Sequence, residues 1–162
     1  MIPIKNRQPW RETFLGEVLL ENTPASVGMA RAKALAIVGE QHPLKDDVLL
    51  IVSELVTNAV VHADKAAAGD TISLRLAATK DLLIVEVYDP GSLSDAPRIK
   101  EDPDVSDEGG RGLYLVSLIC EGRWATRTLG KGLGRLVWAA LPQTDHAPSA
   151  CEVIIARRQK VA

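Results

Sequence analysis

Aromatic side chains are scarce in this chain, only 4% of its 162 residues. A core must therefore be built mainly from Val, Leu, Ile and Ala, within the 46% of residues that are hydrophobic. Cysteine is scarcer still. Cys120 and Cys151 stand alone and form no CxxC pair, which fits thiols in a reducing cytoplasm. An excess of one charge is lacking too: 19 basic and 21 acidic residues leave a net charge of −2. That excludes a general nucleic-acid binder, which needs a basic face; the short run Arg157-Arg158-Gln159-Lys160 reads as solvated. No apolar run reaches the roughly 18 residues a membrane helix needs. Lys5, Arg7 and Arg11 have no apolar segment of a signal peptide behind them. The expectation is one cytoplasmic domain, with no membrane and no nucleic-acid partner.

The patterns that are present alternate between helix and strand. A strand is expected around Glu12 to Glu21. Thr23-Pro24-Ala25-Ser26 reads as a turn, with Ser26 as helix N-cap, and an Ala-rich helix follows from Val27 to Val38, ended by Gly39 and Pro43. Lys45 to Ala63 is the longest helical signal. Thr71 to Ala77 and Leu82 to Tyr88 are rich in β-formers. Asp89 to Gly110 holds three prolines and many acids, and a polar loop of roughly 20 residues inside a compact domain is usually functional or mobile. A buried helix from Leu113 to Ile119 and strands at Trp124 to Thr128 and Gly134 to Leu141 complete the pattern. Thr71 and Leu82 begin consecutive strands with no helix between them. This order predicts an α+β fold: a two-layer sandwich, with helices on one face of a mixed, mainly antiparallel sheet. The domain is expected over residues 1–142, with residues 143–162 a loosely held C-terminal tail.

Three motifs carry chemistry. In the helix DVLLIVSELVTNAVVHA, Val48, Val52, Leu55, Val56 and Ala59 share one face and most of the rest is apolar. Yet Glu54, Asn58 and His62 recur at i, i+4 and i+8. An unpartnered buried amide costs about 1–3 kcal/mol and a carboxylate more; facing a polar cleft removes that cost. Glu54 and Asn58 could then hold a hydrated Mg²⁺ and orient a reacting group. A stripe facing solvent explains the helix equally well, and His62 reads as an ordinary helix-end residue. Next, LLIVEVYD ends in Asp89-Pro90-Gly91. A strand-end carboxylate can accept from an exocyclic amino group such as adenine's, and glycine admits a flat ring, although a plain Asp-Pro-Gly turn explains the tripeptide alone better. Finally, Gly109-Gly110-Arg111-Gly112-Leu113 precedes an apolar helix. Backbone N–H groups there suit phosphate, as does Arg111; the competing reading is a flexible hinge. Neither a GxxxxGK[ST] loop nor a GxGxxG fingerprint is present.

Taken together, Ser53-Glu54-Leu55-Val56-Thr57-Asn58-Ala59-Val60 with His62-Ala63, then Asp89-x-Gly91, then Gly109-Gly110-Arg111-Gly112-Leu113 resemble the ATP-binding fold shared by histidine kinases, DNA gyrase and anti-sigma-factor serine kinases (the Bergerat or GHKL fold). The resemblance runs from about Trp10 to Leu141 and is strongest to the anti-sigma-factor serine kinase branch. It implies ATP and Mg²⁺ as cofactors, with Asn58 as the metal ligand and Glu54 as general base or orienting group. It implies Asp89 and Gly91 at adenine. Gly109, Gly110, Arg111, Gly112 and Leu113 would form the hinge and phosphate contact of a lid spanning Ser92 to Glu108. Two positions depart from the family pattern: Leu93 replaces a frequent second glycine, and Gly134-Arg135-Leu136 stands where Gly-Lys-Thr is frequent, so that Leu136 lacks a hydroxyl. The implied function is a serine kinase acting on an anti-anti-sigma (STAS-type) protein and binding a sigma factor, as a homodimer. The alternative is a catalytically weak module that sequesters its partner. A histidine-kinase fragment is disfavoured because no phosphorylatable helix pair or sensor precedes the motifs.

Overall fold

The computed structural model describes residues 10–62, 71–89, 108–129 and 134–159. Its elements run β1 (Thr13–Glu21), α1 (Ser26–Val38), α2 (Lys45–His62), β2 (Thr71–Ala78), β3 (Leu82–Asp89), α3 (Glu108–Ile119), β4 (Trp124–Thr128), β5 (Arg135–Pro142) and α4 (Ala150–Gln159). The strands form one five-stranded sheet, ordered β1-β2-β3-β5-β4, and every neighbouring pair is antiparallel. The α+β fold expected from the sequence is the fold observed.

Strand alternation divides the sheet into two faces. Leu83, Val85 and Val87 of β3 and Val137, Ala139 and Leu141 of β5 point to one side, where they pack with Leu55 and Ala59 of α2 and Leu113 and Val116 of α3. All five apolar positions expected on the α2 face are buried there. Asp46 and Asp47 lie in the first turn of α2, where acids complement the helix dipole. Ala30 and Ala34, one turn apart, let α1 lie close. Gly16 serves the same approach from β1, since a Cβ there would sit 2.8 Å from Ile37 Cδ1.

Ser26 is not the α1 cap. It is the first helical residue, and its hydroxyl donates back to the Glu21 carbonyl at 2.5 Å, tying the helix to the end of β1. Gly39 ends the helix as expected, with a φ of 91° and its N–H on the Leu35 carbonyl.

The segment expected as a loose tail holds α4, which packs on the opposite face of the sheet. Val153 is fully buried there with Ala77, Ile84 and Trp138. Arg157 binds Glu86 and, at 3.4 Å, Glu12, and its guanidinium lies 4.6 Å from the Trp138 ring centroid. Arg123 fastens the approach to α4 by donating from Nε to the Pro148 carbonyl at 2.7 Å. The helix starts with a reciprocal capping box: the Ser149 N–H donates to Glu152 and the Glu152 N–H to Ser149 Oγ.

Candidate functional site

The polar stripe of α2 meets the start of α3. A Cβ built on Gly112 would lie 3.1 Å from the Glu54 Cδ and closer still to Oε2. Gly112 is therefore a clearance for the Glu54 carboxylate. Gly109 and Gly110 are not in a loop before the helix, because α3 already begins at Glu108. Leu113 sends its side chain into the core, so only its backbone remains for a ligand.

Glu54 is half-buried. Burial holds its carboxyl above the usual carboxylate range, and the nearby Arg111 guanidinium pulls it partly back. A carboxylate raised in this way is a stronger proton acceptor. One turn on, Asn58 is only 5% exposed and its Nδ2 is buried without a hydrogen-bond partner among the described residues. Such an amide costs about 1–3 kcal/mol unless something meets it. Among the described residues no three His, Cys, Asp or Glu side chains form a metal cage. An amide beside a carboxylate nevertheless suits Mg²⁺, which keeps waters and takes phosphate oxygens rather than needing an all-protein shell.

Asp89 follows Val85 and Val87 on the helix side of β3 and is 1% exposed. Directly across the sheet Arg135 opens β5, and its Nη2 lies 3.4 Å from Asp89 Oδ2, with both side chains buried. Sequence reasoning missed this residue. It weighed Leu136, yet Leu136 points to the far face, where it lines a groove of about 320 Å³ with Trp138 and Arg157. Leu136 is thus not at the Asp89 side of the sheet, and its missing hydroxyl removes nothing there. The signal that could have found Arg135 is the alternation itself, since Val137, Ala139 and Leu141 face inward. Gly91 and the 92–107 stretch of the expected lid lie outside the described residues, as does the His62 side chain.

A helix layer over an antiparallel sheet, with a buried amide and raised carboxylate on one helix and a buried aspartate at the strand end, is the frame of a nucleotide-binding domain of the kinase-like ATPase class. The chain belongs to the histidine kinase-like ATPase domain family, whose model matches residues 20–122. It is 30% identical to serine-protein kinase RsbW of Bacillus subtilis (strain 168) over 117 residues, which is 65% of this chain and 73% of that protein. It is 33% identical to serine-protein kinase RsbW of Bacillus licheniformis over 110 residues, 60% of this chain and 69% of that one. Among solved structures, the histidine kinase domain of the Erythrobacter litoralis EL346 blue-light activated histidine kinase is 26% identical, at a TM-score of 0.45 over 73% of this chain and 59% of that chain.

Proposed function

We propose that this chain binds ATP with Mg²⁺ between α2, the start of α3 and the end of β3, and that it regulates transcription by phosphorylating a serine on a partner. The observation that carries the reading is the pairing on α2 of a raised carboxylate lodged against Gly112 with a buried amide that meets no partner among the described residues. Asn58 would hold the metal, which would neutralise phosphate charge. Arg111, exposed at the start of α3, would meet phosphate oxygens. Glu54 accepts the proton of the attacking hydroxyl or orients it, since phosphoryl transfer asks mainly for positioning and charge stabilisation. Asp89 recognises the adenine amino group, and Gly91 shapes that pocket.

By resemblance, the partners are an anti-anti-sigma (STAS-type) protein as phosphoacceptor and a sigma factor held by the same cytoplasmic domain, as a homodimer. Apolar exposure on β1 supports the last point: Leu19 is 66% exposed on the outer face of an edge strand.

Incubation with γ-labelled ATP and a candidate STAS-type partner tests the kinase step. Label should reach a partner serine and fall by about 10²–10⁴-fold in Glu54→Gln, the range for losing a general base. No label transfer from the unaltered chain refutes it. A second reading, sequestration with little turnover, is favoured by one feature, the Arg135 guanidinium already on Asp89. Sigma-dependent transcription that stays blocked by Glu54→Ala would support it.

A further inference from the structure

The carboxylate assigned to adenine is not open to a base in this structure. Asp89 is 1% exposed and Arg135 3%, and they form a cross-strand pair on the helix side of the sheet. Registry makes the two side chains neighbours on one face of the sheet. Asp89 is the last residue of β3, Arg135 the first of β5, and the two are direct partners in the ladder. Gly134 fixes the approach. Its φ of 93° suits glycine, and a Cβ there would sit 2.8 Å from the Tyr88 hydroxyl. The backbone at Arg135 is therefore held beside Asp89, and release of the carboxylate falls to the guanidinium side chain alone.

A buried ion pair is weak support for a fold, because both charges lose water to form it and apolar replacements often do as well. The sheet does not depend on this pair: β3 and β5 are joined along their whole length, from Leu82 with Pro142 to Asp89 with Arg135. What the pair does control is access to Asp89.

We propose that Arg135 sets the nucleotide affinity of the site by competing with the base for Asp89, so that ATP binds only as the guanidinium gives up the carboxylate. This rests on the assignment of Asp89 to the base in the proposed function. Giving up a charge-assisted hydrogen bond corresponds to roughly one to two powers of ten in affinity. Removing the competitor should return that factor. A residue with a merely structural role would act in the opposite sense, since its loss would loosen the pocket and weaken binding.

The test is calorimetric titration of ATP with Mg²⁺ into the full chain and into Arg135→Thr and Arg135→Gln, each checked first by thermal unfolding. Glutamine is close to arginine in reach and uncharged, so it carries the test if the threonine variant does not fold. Asp89→Asn is titrated in parallel. The expected result is ATP binding that tightens about tenfold or more in both Arg135 variants and weakens in Asp89→Asn. Binding by the unaltered chain that stays equal or weakens in the Arg135 variants overturns the competition and leaves the nucleotide site standing. Affinity unchanged in Asp89→Asn removes the base assignment and the competition with it. No binding in any of the proteins refutes both.

Discussion

Gly112→Ala separates the contact between α2 and α3 from the intrinsic preferences of α3. Alanine in place of glycine within a helix is favourable by about 1 kcal/mol. Gly112 lies inside α3 and is not among the positive-φ glycines, so alanine meets no backbone strain. The added methyl would nevertheless sit 3.1 Å from the Glu54 Cδ, with Oε2 nearer. Overpacking of this kind costs typically about 1–3 kcal/mol. The net change in the unaltered background is therefore between neutral and about 2 kcal/mol of destabilisation. With Glu54→Ala the obstacle is gone, and Gly112→Ala should stabilise by about 1 kcal/mol. The two sites are thus coupled by about 1–3 kcal/mol, or roughly 3–9 °C in melting temperature for a domain of this size. Thermal unfolding of the four proteins measures it. In the same variant a displaced carboxylate should cut phosphotransfer by about 10²-fold, the usual effect of a 1 Å misplacement. Equal effects of Gly112→Ala with and without Glu54 would refute the contact, and with it the steric reason for the glycine.

Glu54→Gln should also change how stability depends on pH. The folded-state carboxyl is raised by burial, so the folded chain binds the proton more tightly than the unfolded one. Stability is then lost as pH rises from the ordinary carboxylate value, about 4.3, toward the raised one. The glutamine variant should melt higher than the parent at pH 7, with the gap closing toward pH 4. A gap that widens on acidification contradicts the burial. Ser149→Ala removes half of the α4 capping box and should cost about 1 kcal/mol, read as earlier proteolytic release of the C-terminal helix. Cys120 is buried, and burial pushes its thiol up to about 11, whereas Cys151 is exposed. A thiol reagent at pH 8 should therefore titrate one cysteine in the folded chain and both in denaturant; two fast thiols in the folded chain would contradict that.

Much of the fold was legible because its signals are local and periodic. α2 shows itself by an apolar face at 100° per residue, and β3 by a run of β-formers closing on Asp89. The Glu54, Asn58 and Asp89 positions followed from those two elements. What was not legible depends on partners distant in sequence. Three glycines read as a break before α3, yet Gly112 is small because Glu54 of α2 reaches it. Arg135 carried no assigned role in the sequence, and only the ladder sets it opposite Asp89. α4 carries a polar sequence and was passed over as a tail, although Ser149-x-x-Glu152 is a helix-start signature. What docks the helix is Val153 against Ala77, Ile84 and Trp138 together with Arg157 on Glu86 and Glu12, all upstream of it in the chain.

The claim on which the account turns is that Asn58 and Glu54 look onto metal-bound triphosphate. Titration of ATP into the unaltered chain and into Asn58→Ala, each with Mg²⁺ and with chelator, tests it most directly. Binding should be stronger with Mg²⁺ in the unaltered chain, and that advantage should vanish in Asn58→Ala. An identical Mg²⁺ dependence in both proteins would contradict it.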